Sequence, residues 1–351
     1  MKQTKFSEPT ISDRTPKGHK IHHKKHYIKE YSVEDKTYEG IMNEAEKLGY
    51  DTFIVGYSGG KDSGKVLDKL IKMGKCDGVL HLKTNTGVKM TEDFVIKQCE
   101  DMGIKLYIRE PTPLSFSYVA YCLQFGFPGA GMHSAIMKIL KYNTMIKFVQ
   151  EPEFKGKKVA LVAGVRKWES VRRMGNYNEP ISDDSGLTFV NPIFYEKDDE
   201  VYKYFIENGL KRSPSYETLG FSGECMCGSF AQKDEALLLK QVDPDRFEFI
   251  EWITDGIKRF GSKTAKKYSK WGNTSDFDDI RNQEIMSKFF TPEQLENIDR
   301  MAVNTCGSEC GGSTMKGTLN IWFVKDVKSN SITPGKSVMS VLQNSTQKLS
   351  P

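Results

Sequence analysis

The chain of 351 residues is predicted to fold as an α/β protein with a mostly parallel, doubly wound sheet. Short apolar runs typical of buried strands alternate with stretches whose apolar residues recur every three or four positions, as in amphipathic helices. Gly-containing turns follow three of the apolar runs. In an open α/β sheet such turns lie at the carboxyl ends of the strands, where ligands bind.

The same patterns predict the order of the elements. A helix is expected over about 33–48 and a strand at 53–55, followed directly by a second helix. Thr91 is expected as the N-cap of a later helix, because it precedes two acidic residues. The remaining elements, in chain order, are a strand at 78–82, the helix at 91–102, a strand at 105–108, a Gly/Pro-rich loop at 126–131, a helix at 134–149 and a strand at 158–165.

A Gly-Gly turn joins the strand at 53–55 to the next helix and suits a bound phosphate. Glycines let the backbone approach a ligand closely, and the free N–H groups at a helix start attract an anion. Lys61 adds a positive charge, and two serines add hydroxyl groups. The turn is not a Walker A loop, because Val66 stands where a Ser or Thr is required. An ordinary Gly-rich turn is the alternative to a phosphate-binding loop formed by Ser58, Gly59, Gly60, Lys61, Asp62 and Ser63.

A second basic turn follows the strand at 158–165. Arg and Lys side chains in a loop at the carboxyl end of a strand suit phosphate or sulfate, although a salt-bridged surface turn explains the same residues. We expect this turn, the loop after the strand at 78–82 and the Gly-Gly turn to converge on one nucleotide. The residues concerned are Gly164, Arg166, Glu169, Arg172 and Arg173 in the basic turn, and Asn85, Thr86 and Gly87 after the earlier strand.

Ser-Gly-Gly-Lys-Asp-Ser at 58–63 resembles the loop of the ATP pyrophosphatases, or PP-loop enzymes. Over roughly residues 50–232 the chain also resembles the phosphoadenosine phosphosulfate (PAPS) reductase family. The resemblance rests on Asn-Thr-Gly at 85–87, on the motif from Gly164 to Arg173, on Asn-Pro-Ile at 191–193, on the acidic run at 198–202 and on the segment 214–227. It implies a Rossmann-like adenine nucleotide α-hydrolase fold that binds an adenine nucleotide, with Lys138 among the nucleotide-binding residues.

The chain departs from this family at three places. It keeps Lys61, which typical reductases of the family lack; it has no Cys after Cys310; and His133-Ser134 stands where the cluster-bearing adenylylsulfate reductases have a Cys pair. The pattern is closer to the ATP-using branch, which includes the sulfurtransferase-like enzymes of DNA phosphorothioation. The resemblance implies ATP and Mg²⁺ as ligands and Lys61, Asp62 and Arg166 as catalytic residues.

Two of the seven cysteines form a Cys-x-Cys pair and two form a Cys-x₃-Cys pair, each in Gly-rich sequence. Four thiolates from two such loops suit a 4Fe–4S cluster or a structural Zn²⁺, and two unrelated loops without a metal are the third possibility. The expected ligands are Cys225, Cys227, Cys306 and Cys310. Residues 231–300 between the pairs have helical patterns, so a small α-rich cysteine-containing domain is expected after the nucleotide-binding domain.

The net charge of +5 is confined to residues 1–30, since the rest of the chain has equal numbers of acidic and basic residues. Such a tail suits a nucleic-acid-binding arm or an ordinary solvated terminus. No apolar run is long enough for a membrane span, and a cytoplasmic location is expected. The expected parts are a basic tail at 1–30, a nucleotide-binding domain at 31–220, an α-rich domain at 221–327 and a loose tail at 328–351.

The sequence therefore predicts an enzyme that cleaves ATP to AMP and pyrophosphate to activate an acceptor for sulfur incorporation. A sulfur-donor protein is the expected partner of such a reaction. Two alternatives remain open: a phosphoadenylyl- or adenylyl-sulfate reductase with a diverged tail, and a nucleotide- or nucleic-acid-binding subunit without turnover.

Overall fold

The computed structural model describes residues 28–111, 117–168, 178–184, 186–219, 221–231 and 235–272. Within these residues one sheet of seven strands has the order β1-β6-β7-β5-β2-β3-β4. The strands are Lys29–Tyr31 (β1), Thr52–Gly56 (β2), Gly78–Leu82 (β3), Leu106–Arg109 (β4), Val159–Val162 (β5), Ile181–Asp184 (β6) and Leu187–Val190 (β7).

The centre of the sheet is parallel. β2 pairs in parallel with both β3 and β5, β3 with β4, and β5 with β7. The chain runs from β2 to β3 and β4 on one side and reaches β5 on the other, so the strand order reverses between β2 and β5. The predicted doubly wound α/β fold is confirmed, and its switch point lies where the loops after β2 and β5 meet.

Three strands on one side of the sheet were not predicted. β6 and β7 form an antiparallel hairpin, and β1 pairs antiparallel with β6. β6 reads Ile-Ser-Asp-Asp, which lacks the apolar run of a buried strand. Its Asp183 instead accepts hydrogen bonds from the phenol groups of Tyr31 and Tyr50, at 2.5 and 2.9 Å. These tertiary contacts hold a strand that periodicity does not indicate.

Helices cover both faces of the sheet and continue past its last strand. They are Tyr38–Lys47 (α1), Lys61–Lys72 (α2), Lys89–Asp101 (α3), Tyr118–Phe125 (α4), His133–Met137 (α5), Asn143–Val149 (α6), Asp198–Glu207 (α7), Ser215–Leu219 (α8), Glu235–Val242 (α9), Pro244–Phe260 (α10) and Lys263–Lys267 (α11). Alternate residues of the strands face two separate apolar clusters, for example Val55 on one side and Ile54 on the other.

One local expectation was wrong, and a second was confirmed with a local irregularity. α3 begins at Lys89 with Val88 as its N-cap, so Thr91 lies in the first turn and its hydroxyl contacts Ser213 instead of capping the helix. The helix expected at 134–149 is interrupted by a π-helical turn, Lys138–Tyr142, between α5 and α6.

A third apolar cluster lies beyond the sheet. It joins α4, α5 and the segment 219–231 to α10 and α11, and it includes the fully buried Cys122 and Ile257. Within the described ranges, no helix is both long enough and apolar enough to cross a membrane.

Candidate nucleotide site

The phosphate-loop candidate lies between β2 and α2, as predicted. Gly60 is the N-cap of α2, and no side chain caps the helix there. Gly59 has φ +76°, a backbone conformation that favours glycine. Ser58 Oγ lies 3.1 Å from Ser63 Oγ, so the two hydroxyls close the loop on itself. The first N–H groups of α2 have no intrahelical acceptors, which makes this helix start suitable for an anion.

Four charged side chains meet at the start of α2 and form what we call the charge quartet: Lys61, Asp62, Arg166 and Asp198. Lys61 Nζ lies 2.9 Å from an oxygen of Asp62 and 2.7 Å from Asp198 Oδ1. Arg166 donates from Nε to Asp62 over 2.7 Å and from Nη2 to Asp198 over 2.6 Å. Two cations thus share two carboxylates. Lys61, Asp62 and Arg166 are at most 4% exposed.

The electrostatics of the quartet favour full ionisation. Burial raises the pKa of Asp62, but the positive charges of Arg166 and Lys61 outweigh burial and hold this pKa well below its usual range. Burial lowers the pKa of Arg166, and the charges of Asp62 and Asp198 reverse that effect and raise it. Arg166 Nη1 is buried without a hydrogen-bond partner in the part of the chain that the structure describes. One donor of the quartet therefore remains available.

Gly164 explains how the loop after β5 reaches α2. A Cβ at residue 164 would lie 2.7 Å from the carbonyl carbon of Asp62 and 2.8 Å from the backbone nitrogen of Ser63. Only glycine allows the two backbones to approach this closely. The approach brings Arg166, two residues later, against Asp62. The predicted convergence of the turns after β2 and β5 is therefore present.

The Asn-Thr-Gly turn after β3 contacts a different segment. Thr86 accepts a backbone hydrogen bond from Met226, and Val88 donates one to Gly223. A Cβ at Gly87 would lie 2.2 Å from the carbonyl oxygen of Glu224. Thus the backbone of this turn binds residues 223–226. Asn85 itself is exposed, with φ 57°, and points its amide toward Glu110 at 3.4 Å.

A cluster of buried hydroxyls links this region to the phosphate loop. Thr91 Oγ1 lies 2.7 Å from Ser213 Oγ and 3.1 Å from Ser215 Oγ, and it donates to the carbonyl of Ser222. The backbone N–H of Ser213 donates to the carbonyl of Gly59 over 2.9 Å. Sequence reasoning noted the segment that starts at 214 but assigned it no contact with the loop.

Asp198 was also missed as a site residue. It is the first residue of α7, in an acidic run that the sequence shows clearly but that also suits an ordinary helix start. Lys138 is exposed at the start of the π-helical turn. Glu169, Arg172 and Arg173, expected to bind the nucleotide, lie outside the described residues.

Cys225 and Cys227 are 2% and 4% exposed in the third apolar cluster. Thr86 Oγ1 lies 3.5 Å from Cys225 Sγ, and Ser229 Oγ lies 3.3 Å from Cys227 Sγ. Hydrogen bonds from Cys225, and then from His133 and Ser229, lower the pKa of Cys227 well below its usual value, against the effect of burial. Cys306 and Cys310 lie outside the described residues. Among the residues described, no group of three or more His, Cys, Asp or Glu side chains is arranged to hold a metal ion.

Residues 52–222 match the family described as "Phosphoadenosine phosphosulfate reductase domain". The match begins at the first residue of β2 and ends just before the Cys-x-Cys pair. It confirms the domain that the sequence motifs indicated. The sequence matches none of the curated proteins with which it was compared.

Three solved structures illustrate the similarity. A PAPS reductase from Candida auris, in a phosphate complex, is 17% identical over 53% of this chain and 85% of that one, with a TM-score of 0.39. FMN adenylyltransferase from Candida glabrata, in complex with ATP, is 15% identical over 53% of this chain and 57% of that one, with a TM-score of 0.36. NMN synthetase from Francisella tularensis is 12% identical over 88% of this chain and 99% of that one, with a TM-score of 0.37. Because these scores are low, we infer function from the site itself.

Proposed function

We propose that this chain is a cytoplasmic PP-loop enzyme that binds ATP and cleaves it to AMP and pyrophosphate, activating an acceptor for sulfur incorporation. The observation that carries the proposal is Arg166, buried beside Lys61 at a helix start that no side chain caps. Arg166 Nη1 has no hydrogen-bond partner among the described residues. Buried donors of this kind normally have a partner, and the phosphates of ATP would supply one.

The residues of the site have different roles in the proposed reaction. The backbone N–H groups at the start of α2 bind phosphate oxygens, and Lys61 and Arg166 neutralise the charge that collects on the departing pyrophosphate. An acceptor oxygen bonds to the α phosphorus as the bond to the bridging oxygen breaks, so that pyrophosphate leaves and the acceptor becomes adenylylated. A sulfur nucleophile then displaces AMP from the acceptor. Catalysis on this chain is mainly positioning and charge compensation.

The oxygen donors around the loop fit Mg²⁺, which prefers carboxylates and phosphates as ligands. Asp198 uses only Oδ1 for Lys61 and Arg166, so its second oxygen has no hydrogen bond or ion pair among the described residues. Asp198 and the hydroxyls of Ser58 and Ser63 would hold the ion directly or through water. Bound there, Mg²⁺ would neutralise phosphate charge.

We also propose that Cys225 and Cys227 supply half of the ligands of a 4Fe–4S cluster, with Cys306 and Cys310 as the other half. The two thiols are separated by one residue, are buried and lie beside hydroxyl groups. Such a pair has the chemistry of soft-metal ligands. Zn²⁺ is the alternative metal, and the iron and zinc contents of the purified chain distinguish the two. Whichever metal binds, the cysteine pair lies next to the turn after β3. A cluster or zinc site there would place a sulfur-handling group near the nucleotide.

A PAPS or adenylylsulfate reductase is the second candidate, because the family match covers residues 52–222. The reductase reaction releases no pyrophosphate and so needs no lysine to hold it. In this chain, however, Lys61 is buried and pairs with both carboxylates of the charge quartet. Sulfite released from PAPS in the presence of a thiol, with no AMP formed from ATP, would favour the reductase.

The test is ATP cleavage by the anaerobically purified chain, followed as AMP and pyrophosphate. Lys61→Ala is expected to lower the rate of ATP cleavage roughly 100- to 1000-fold. The reason is that the negative charge that develops on the departing pyrophosphate loses one of its two cationic partners. Lys72→Ala is the matched control, since Lys72 is an exposed lysine of the same helix. Unchanged pyrophosphate release by Lys61→Ala would overturn the proposal. ATP binding without AMP formation, in the presence of candidate acceptors, would favour the binding-subunit alternative.

A further inference from the structure

A cavity, which we call the β3 cavity, lies beyond the turn that follows β3. It has a volume of about 240 Å³. Thr84 and Gly87 from the turn, Lys89 and Thr91 from the start of α3, and Arg246 and Phe249 from α10 contribute to its walls. Ligand pockets for drug-sized molecules are typically about 300–1,000 Å³, so this one suits a small molecule or a single group of a larger one.

Arg246 is the unusual residue of this cavity. Its side chain is buried, at 5% exposure, and it belongs to α10, beyond the segment that matches the PAPS reductase family. Nη2 donates to the carbonyl of Met226 over 2.8 Å. Nε and Nη1 are buried without a hydrogen-bond partner within the described part of the chain. The guanidinium carbon lies 5.0 Å from the centre of the Phe249 ring, so the ring covers one face of the group.

An arginine in this state is costly for the protein. Buried polar groups are nearly always hydrogen-bonded, and a buried charge needs a partner. Burial lowers the pKa of Arg246, which reflects the same cost. An oxyanion in the cavity would supply acceptors for these two nitrogens.

The carboxylates near Arg246 are already engaged or solvated. Asp243 accepts the backbone N–H of Arg246 at one oxygen and that of Lys89 at the other, at 3.1 and 2.9 Å. Glu224 lies 2.7 Å from Lys141 Nζ. Asp245 is exposed. None of these carboxylates accepts a hydrogen bond from Nε or Nη1 of Arg246.

The cavity also borders the phosphate loop through Thr91. The hydroxyl of Thr91 belongs to the cluster that contacts Ser213, and its methyl group would lie 3.5 Å from a Cβ built on Gly59. Thr91 lines the cavity as well. A ligand there would be separated from the proposed ATP phosphates by about one side chain.

We propose that the β3 cavity binds the oxyanion group of a small second substrate, a carboxylate, sulfate or phosphate held by Arg246. Its role as the second-substrate site rests on the proposed ATP-dependent reaction, whereas anion binding by Arg246 does not. The position beside the phosphate loop is where an acceptor, or a small anionic sulfur compound, would have to lie.

The first experiment titrates the full-length chain with sodium sulfate, sodium phosphate or sodium acetate in a calorimeter at constant ionic strength. The phosphate loop also binds sulfate and phosphate, so Lys61→Ala is titrated in parallel. We expect a binding component that persists in Lys61→Ala and weakens at least tenfold in Arg246→Gln. Arg259→Gln, an exposed arginine of the same helix, should titrate like the wild type. The anion that binds most tightly identifies the group on the natural ligand.

The proposal is overturned if Arg246→Gln binds all three anions as the wild type does, or if Lys61→Ala removes every binding component. A second measurement needs no variant and so does not depend on its folding. Phenylglyoxal modification of Arg246, followed by peptide mass spectrometry, should be slowed by the anion that binds. Equal modification with and without each of the three anions would also overturn the proposal. Loss of ATP cleavage with intact anion binding would refute only the proposed reaction.

Discussion

Asp198 Oδ1 lies 2.7 Å from Lys61 Nζ, although the two residues are 137 positions apart in the sequence. The same oxygen accepts a hydrogen bond from Arg166. A single carboxylate oxygen therefore holds two cations that would repel each other beside the phosphate loop. The first residue of α7 thus supplies one of the two negative charges of the charge quartet.

Asp198→Asn is expected to destabilise the free protein by about 3 kcal/mol, because a buried cation loses its counter-charge. ATP supplies new negative charge, so it should raise the melting temperature of the variant more than that of the wild type. Thermal unfolding with and without ATP measures both effects. Asp199→Asn changes the exposed neighbour and serves as the control. Equal melting temperatures for Asp198→Asn and the wild type would contradict the role given to the quartet.

The charge quartet should make the free energy of unfolding decrease as the pH falls through the acidic range. The pKa of Asp62 is held well below its usual value of about 3.9, since Arg166 and Lys61 outweigh burial. Its ion pairs therefore contribute fully above about pH 5 and are lost as the pH falls toward the lowered pKa. The difference in unfolding free energy between wild type and Asp62→Asn should be constant above about pH 5 and shrink below about pH 4. A difference that shrinks on going from neutral pH to about pH 5 would show another titrating group.

Gly164→Ala should disturb the phosphate loop without touching any functional side chain. The added methyl group would lie 2.7 Å from the backbone of Asp62, so one backbone must move. We expect a lower melting temperature and at least tenfold weaker ATP binding. Gly129→Ala is the matched control, because a Cβ there meets nothing within 4 Å and the backbone is extended. Equal ATP affinity in the two variants would mean that the loop tolerates the displacement.

The cysteine pair gives a compositional prediction. Cys225→Ser and Cys227→Ser should each reduce iron and acid-labile sulfide in the anaerobically purified chain to a small fraction of the wild-type content. Cys99→Ser is the control, since Cys99 is buried in the cluster between α1, α2, α3 and the sheet. Stoichiometric zinc with no iron would replace the cluster proposal with a zinc site. Metal content unchanged by all three substitutions would refute both.

Cys122 is expected to be chemically inert. It is fully buried, and burial raises the pKa of its thiol to about 12, despite the opposing effect of the nearby Tyr118 hydroxyl. At neutral pH the thiolate needed for alkylation or sulfur transfer is therefore nearly absent. Iodoacetamide labelling of the native chain, mapped by mass spectrometry, should leave Cys122 unmodified. Rapid labelling at this position would contradict this expectation and would make Cys122 a candidate sulfur carrier.

The parallel centre of the fold was predictable because its strands are apolar on both faces and its turns carry unusual residues. The Gly-Gly turn and the basic turn lie together, since β2 and β5 are neighbours and Gly164 permits their loops to touch. By contrast, β6 has two aspartates among its four residues, and its position depends on Tyr31 and Tyr50. No local pattern carries that information.

Three of the four residues of the charge quartet were predictable from the sequence. Lys61, Asp62 and Arg166 belong to recognisable motifs, whereas Asp198 and Arg246 look like ordinary residues of helix first turns. Their roles depend on contacts between distant segments: Asp198 pairs with Lys61 and Arg166, and the buried Arg246 donates to the carbonyl of Met226. The role of Thr91 also depends on such contacts. Its residue type suits a helix cap, but its hydroxyl contacts Ser213 instead.

The backbone pairing of residues 223–226 with the turn after β3 bears on how this chain is divided. The family match ends at residue 222, within the hydroxyl cluster of Thr91, Ser213 and Ser215. A polypeptide that ends at residue 222 would lose Met226, whose backbone N–H donates to the carbonyl of Thr86, and Glu224, whose carbonyl lies against Gly87. The excised segment would therefore lack backbone contacts that the turn after β3 makes in the intact chain. The border of the family match falls inside a set of packed residues of this chain.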